Sequence, residues 1–345
     1  MDSDITVALR DYDDSIVAAY QRLFHGDPDK SPELLNWRFG SNPHGRARFA
    51  VATRSGQPVG MIALVPTRLA NASGSALGFQ AIDTIVDPSC QGRGLFVKMG
   101  SLAQDPTILG GDLIWGFPNA NASPGWFGRL GWTSFGPVPL LIRPLRSSIL
   151  LGRIHPTLRA IDVPFIRERT QNGFVYESGE QLSGDFDGLW ARVSARFGIA
   201  VERGGEWMRW RLFDKPGADY RCIGMRSAIG ELDAFVATKI ADKHGGRLCY
   251  VMEAIGGPGR TADLTRMLLA ELSIAARQGA EIALAWCART DPNYRAYRRA
   301  GFMPLPARLR PIEINFGARA LTAETAFAAS GKADWYVSFL DSDTN

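Results

Sequence analysis

The sequence predicts an α/β chain of two related domains, each a mixed β-sheet flanked by helices. Three observations predict it. Aromatic and proline positions repeat at a nearly constant offset, the order of helical and strand patterns is the same in both copies, and a glycine-rich turn joins an apolar strand to a helix.

The repeat is the first of these. Tyr12 corresponds to Phe186, Trp37 to Trp210 and Pro43 to Pro216, at offsets of 174, 173 and 173. Further along, the LGW ending at Trp132 corresponds to the AGF ending at Phe302, at an offset of 170. Duplication explains shared order and spacing over such a length better than two unrelated domains with similar turns do.

Within a copy the elements follow in order. Ile16, Val17, Tyr20 and Leu23/Phe24 recur at helical spacing and predict an amphipathic helix. A short helical segment ends in the Trp37-Arg38 or Trp210-Arg211 pair, and Asn42-Pro43 or Lys215-Pro216 stops it. The recurrence of the Trp-Arg pair in both copies favours an architectural part for it. Two strands cross a Ser55-Gly56 hairpin turn, and a third runs from Leu77 to Val86 into the glycine-rich turn. A helix from Leu95 to Ala103 follows, then a strand near Leu113 to Trp115, a short helix and a final strand. The C-terminal DWYVSFLDSD is expected to close a sheet or lie along its edge.

Composition narrows the functional classes. The 345 residues are 46% hydrophobic and 21% charged, which suits two globular domains. A net charge of +4 without long like-charge runs argues against nucleic acid as a partner. The acidic N-terminus has no apolar core, and no stretch approaches a membrane span, so the expected location is the cytoplasm. Cys90, Cys222, Cys249 and Cys287 are widely spaced and read as buried structural thiols, and neither they nor the four His suggest a metal site.

The most informative segment is AIDTIVDPSCQGRGLFVKMGSLA, residues 81–103. The strand ends at Val86, Asp87-Pro88 turns the chain, and Gln91-Gly92-Arg93-Gly94 opens the helix through Leu95 and Phe96. Backbone N–H groups that converge at a helix N-terminus suit a pyrophosphate. Glycine at 92 and 94 permits positive φ and close approach, and Arg93 adds a charge. There is neither a P-loop GKS/GKT nor a GxGxxG dinucleotide turn.

Here the chain resembles the GNAT superfamily of acyl-CoA-dependent N-acyltransferases. Gln91, Gly94 and the preceding Val86-Asp87-Pro88 match its cofactor motif, while Phe96 departs from the final small residue. The segments PNANASPGWFGRLGW (118–132) and PNYRAYRRAGF (292–302) resemble the family's later Asn…Tyr…Gly-aromatic element. Asn293 and Tyr297 match in the second copy, but Phe127 stands where the family often has tyrosine. The second copy's turn, IGGPGRTADL, lacks the Gln-x-x-Gly spacing.

The resemblance implies two tandem GNAT-like domains: residues 1–150 binding acyl-CoA, a linker over 151–170, and residues 171–345 with a degenerate cofactor turn shaping the acceptor cleft. It implies acetyl-CoA or another acyl-CoA as cosubstrate, contacted by Ile85, Val86, Gln91, Gly92, Arg93, Gly94, Leu95, Phe96 and Asn119. Ile85 and Val86 would contribute backbone amides to the thioester. Asp83, on the same strand, is the candidate base for a small-molecule amine; its alternative role is to orient the substrate or pair with an arginine. Gln80 reads as a strand-edge side chain, and Tyr297 is expected to be dispensable. An amino sugar or other cell-envelope precursor is the suggested acceptor. A FemAB-like aminoacyl transferase and a non-catalytic acyl-CoA-binding pseudoenzyme are the alternatives.

Overall fold

The computed structural model describes residues 4–71, 74–148, 157, 162–166, 174–177, 179–243, 245–310, 313–322, 331 and 334–342. Most of the expected linker, 151–170, lies outside the described residues.

In the first copy α1 (Asp14–Leu23) starts at Asp13, whose carboxylate accepts from Ile16 N at 3.1 Å. Its buried residues Ile16, Ala19, Tyr20 and Leu23 stand three or four apart, so one stripe faces the sheet. α2 (Pro32–Leu35) runs into a wide helical turn, Asn36–Gly40, that buries Trp37 and Phe39. The Asn42 side chain follows, donating to Pro66 O at 3.0 Å. β1 (Ile5–Asp11), β2 (Arg48–Arg54) and β3 (Gln57–Asn71) form an antiparallel ladder. The β2–β3 hairpin turns at Ser55 and Gly56, with φ of +48° and +79°, the backbone that tight hairpins favour. β4 (Gly74–Val86), α3 (Leu95–Ala103), α4 (Pro106–Leu109), β5 (Leu113–Gly116) and β6 (Thr133–Pro137) follow.

The unbroken apolar runs of β2 and β3 have a simple cause. Phe49, Val51, Met61 and Ala63 pack with α1, while Ala50, Ala52, Ile62 and Leu64 pack with α3. Both faces are covered, so neither set of alternating side chains meets water.

β7 (Leu140–Pro144) ends the first copy, and the second comprises β8 (Val175–Tyr176), α5 (Gly179–Val193), β9 (Ala200–Val201), α6 (Gly205–Leu212), β10 (Arg221–Arg226), β11 (Leu232–Lys243), β12 (Gly246–Gly256), α7 (Thr261–Arg277), β13 (Ile282–Trp286), α8 (Tyr294–Arg299), β14 (Met303–Pro304) and β15 (Asn315–Ala320). One sheet runs in the order β1-β2-β3-β4-β5-β15-β6, and the other β8-β10-β11-β12-β13-β7-β14. The orders correspond strand for strand, each antiparallel except for one central parallel pair, β4–β5 or β12–β13. The architecture is two mixed sheets with helices packed on them.

The boundaries depart from the expected divisions at 150 and 171. The compact units are Met1–Val138 with Asp214–Pro216 and Ile312–Lys332, and Pro139–Phe213 with Gly217–Pro311 and Ala333–Asn345. The strand after each copy's last hairpin element is exchanged: β7 enters the sheet of the second copy and β15 that of the first. A repeat locates elements along the chain, but ladder hydrogen bonds decide which sheet receives them.

The C-terminal segment forms no strand of its own. Trp335 makes a single parallel bridge with Ile199, and the chain then runs extended into a short helical turn, Phe339–Asp341. Phe339 packs between Tyr250 and Trp286, with ring centroids at 5.2 and 4.7 Å. Arg203, fully buried, donates to Glu253 at 3.0 Å and to Asp341 at 2.7 Å. The Tyr336 hydroxyl and Ser338 Oγ also donate to Glu253. Burial pushes the Glu253 carboxyl up, against the pull of Arg203. All four cysteines are buried as well, and burial pushes the Cys249 thiol up to about 12.

Removing one member of such a buried ion network strands the others in a poor solvent. Arg203→Leu is therefore expected to cost about 3 kcal/mol or more of folding stability, measured by chemical denaturation.

Candidate functional site

β4 carries the geometry of the site. Ile85 faces Met61 and Ile82 faces Ala63, so Asp83 and Thr84 together oppose the single residue Ile62. This is a bulge, and Asp83 adopts a left-handed φ of +48° within it. Aspartate tolerates that region better than most residues, though at some cost. A bulge interrupts the alternation of side chains along a strand, so alternation does not fix which way Asp83 and Thr84 point.

The parallel pairing of β4 with β5 covers Gly78, Phe79 and Gln80 against Leu113, Ile114 and Trp115. Gln80 is thus the last paired residue, and its side chain is buried rather than at an open edge. At Gly116 an added Cβ would stand 2.9 Å from the Ala81 carbonyl, so glycine permits the closest approach of the two strands. The β4–β5 ladder itself ends one residue earlier in each strand, at Gln80 and Trp115. Asp87 N donates to Val59 O at 2.9 Å, and the Gln91 side chain donates to Val86 O at 3.2 Å. Successive peptide groups of a strand face opposite sides, so Val86 directs its N–H and C=O away from β3. Ile85 directs its own towards β3. Of the two expected amides, that of Val86 is the one outside the hydrogen bonds of the β3 ladder.

The turn that follows is preset. The Asp87 carboxylate accepts from Ser89 N and Oγ at 2.9 and 2.7 Å, bonds that hold its carboxyl below the usual range. Gly92 and Gly94 have φ of +77° and +73°, and an added Cβ on either would meet nothing within 4 Å. Backbone conformation, not crowding, requires glycine at both. Gly94 caps α3 without a side-chain hydrogen bond, and the first helical bond runs from Lys98 N to Gly94 O at 3.0 Å. The early N–H groups of α3 therefore have no intrahelical acceptor. Gln91 to Gly94 are exposed, whereas Leu95 is buried and anchors the helix. The Phe96 ring packs edge-on against Trp126, centroids 5.3 Å apart, so it is directed at that turn.

Asn119 has a local task. Its Oδ1 accepts from Asn121 N and Ala122 N at 3.1 and 3.0 Å, capping the turn that leads to Trp126. Phe127 lies against Gly317, where an added Cβ would come within 2.4 Å of its ring. Tyr297 is buried in the core of the other unit, edge-on to Phe302, and burial pushes its hydroxyl well above the usual range.

Asp83 is ion-paired. Lys30 Nζ is 2.5 Å from Oδ1, the Tyr20 hydroxyl donates to Oδ2 at 3.1 Å, and Arg38 is 3.9 Å from Oδ2. Side-chain exposures are 12% for Lys30, 14% for Arg38 and 8% for Asp83, so the group retains some contact with solvent. Sequence reasoning missed Lys30. The signal was present in the repeat: Lys30 corresponds to Arg203 at an offset of 173, and the ladders align Asp83 with Glu253 at 170. The second copy thus has the same pair, Arg203–Glu253, beside a bulge in β12. There, however, the counterpart of Val86 is closed off. Gly256 N donates to Asn293 Oδ1 at 3.3 Å, and Gly256 O accepts from Arg196 at 2.8 Å.

Among the described residues no group of His, Cys, Asp and Glu is arranged to hold a metal ion, and no helix is long and apolar enough to cross a membrane.

The sequence matches no protein-family model and no curated protein. Solved structures do match. An Enterococcus faecalis protein described as a probable N-acyltransferase aligns at 11% identity and TM-score 0.61, covering 92% of this chain and 73% of that one. Saccharomyces cerevisiae N-myristoyltransferase with bound myristoyl-CoA aligns at 10% and 0.60, covering 92% and 83%. A GCN5-related N-acetyltransferase from Anabaena variabilis aligns at 8% and 0.61, covering 92% and 73%. At such identities the likeness concerns fold: the chain has a tandem GNAT-like fold.

The left-handed requirement at the turn gives a direct test. Gly94→Ala is expected to lower stability by about 1 kcal/mol, read from denaturant midpoints, although the new methyl group meets no neighbour.

Proposed function

We propose that the chain is an acyl-CoA-dependent N-acyltransferase and that its first copy binds the acyl-CoA. One observation carries this reading: β4 leaves its ladder with β5 after Gln80 and runs through Val86 into a glycine-led helix N-terminus, so an unpaired strand end for a thioester adjoins N–H groups for a pyrophosphate. The structural neighbours are acyltransferases, which supports acyl transfer as the reaction class.

On this reading the pyrophosphate rests on the N–H groups from Gln91 to Phe96, and Gln91 also holds the turn to Val86. The Val86 N–H donates to the thioester oxygen and stabilises the negative charge that grows there as the amine attacks. Asn119 shapes the 119–123 turn beside this path. The amine nitrogen bonds to the acyl carbon, the carbon–sulfur bond breaks, and Asp83 takes the ammonium proton directly or through water. Phe127 has no hydroxyl, so solvent protonates the departing thiolate. Acyl-CoA is a cytosolic metabolite, which fits a cytoplasmic enzyme.

Two observations favour a second reading, acyl-CoA binding without turnover: Phe127 in the tyrosine position and the ion pairing of Asp83. Turnover separates the two readings.

The binding test is calorimetry with acetyl-, octanoyl- and myristoyl-CoA. At least one should bind, and Gly94→Glu should weaken it by roughly 2 kcal/mol by placing a carboxylate against the pyrophosphate. Unchanged affinity in a folded Gly94→Glu protein would remove this site. Mass detection of acylated amines then tests chemistry. Asp83→Asn is expected to lower turnover about 10²-fold near neutral pH with little change in acyl-CoA affinity, and Tyr297→Phe to stay within about threefold. An Asp83→Asn enzyme of nearly full rate would refute the base.

A further inference from the structure

The two copies offer an internal comparison that bears on the acceptor. In the second copy Arg203, Arg211 and Glu253 hold a length of peptide, the chain's own residues 336–342. Arg211 donates to the main-chain carbonyls of Leu340 at 2.9 Å and Ser342 at 2.7 Å. Arg203 takes the Asp341 carboxylate, and Glu253 takes the hydroxyls of Tyr336 and Ser338. Two cations thus meet peptide acceptors, while the carboxylate at the bulge meets peptide donors.

The first copy keeps this trio position by position. Lys30 corresponds to Arg203 and Arg38 to Arg211, both at 173, and Asp83 corresponds to Glu253 at 170. The internal pair is kept as well, 2.5 Å in one copy and 3.0 Å in the other. Exposure differs. The Arg203 and Glu253 side chains are 0% exposed beneath the C-terminal segment, against 12% and 8% for Lys30 and Asp83. Asp83 also stands three residues before Val86, on the strand that leads to the glycine-rich turn.

We propose that Lys30, Arg38 and Asp83 form the acceptor site of the first copy and that the acceptor is a peptide. Its main-chain carbonyls or carboxylate meet Lys30 and Arg38, and its free amine is the donor at Asp83. This deepens the acyltransferase reading and rests on it. It replaces the amino sugar suggested by sequence, because two cations around one carboxylate match an amine accompanied by carbonyl or carboxylate oxygens better than a neutral polyol.

The test uses the full chain and the synthetic peptide WYVSFLDS, a copy of residues 335–342, with glucosamine as comparison. Direct binding is measured first without acyl-CoA, then acylation with whichever acyl-CoA binds. The peptide is expected to bind and to be acylated on its amine in preference to glucosamine. Lys30→Met and Arg38→Met should each raise the peptide KM tenfold or more, while acyl-CoA affinity changes less than threefold. Lys30→Arg, which installs the second copy's residue, should restore KM, a rescue that separates acceptor binding from a folding defect. Preference for glucosamine, or a peptide KM unchanged in folded Lys30→Met and Arg38→Met proteins, would overturn the proposal. Failure of every acyl-CoA to bind would refute the acyltransferase reading, whereas the direct peptide measurement tests the acceptor site alone.

Discussion

The bulge in β4 is the constraint on which the site depends. Placing Asp83 and Thr84 opposite the single Ile62 forces a left-handed residue and bends the strand just beyond its last pairing with β5. Beyond it the pairing with β5 has ended and the Val86 peptide group points away from β3. The conformation is unfavourable for a residue with a side chain, and Lys30, Tyr20 and Arg38 offset that cost by holding the Asp83 carboxylate from three different segments. Structural and chemical demands therefore fall on one side chain. An ion pair that steadies a bulge also keeps a carboxylate and a cation in some contact with solvent.

Duplication shows what became of the same device under different constraints. The second copy keeps the bulge and the ion pair but buries both beneath its own C-terminal segment. Asn293 and Arg196 take the N–H and C=O of Gly256, the groups that correspond to those of Val86 in the first copy. Buried polar groups need partners, and the second copy supplies them internally. The asymmetry between copies lies in what covers the strand ends, more than in the strands.

The exchange of β7 and β15 has a consequence for how the sequence encodes the fold. Neither half of the chain contains a full sheet, since each sheet takes one strand from beyond the other copy's last hairpin element. A boundary drawn from the repeat alone therefore falls in the wrong place. β15 pairs with β5 and β6 although it follows them by well over a hundred residues, and only hydrogen bonding between distant segments establishes that.

Local chemistry made much of this legible. The 3.6-residue stripe of α1, the apolar runs of β2 and β3, the Ser55-Gly56 turn and the Gly92 and Gly94 positions each follow from nearest-neighbour physics, and sequence patterns report such physics directly. Helix α3 begins and ends where its pattern places it. Other features depend on which distant groups meet. The pairing of Asp83 with Lys30, the side of β4 that Val86 faces, the cap made by Asn119 and the burial of Tyr297 are of this kind. A side chain's partner is set by packing, and a strand's alternation holds only until a bulge interrupts it. The sequence by itself determined the elements and the repeat, because these arise from local backbone preference and periodic burial. Tertiary structure decided which copy's ion pair is fully buried, because that depends on where a terminal segment, far away in sequence, comes to rest.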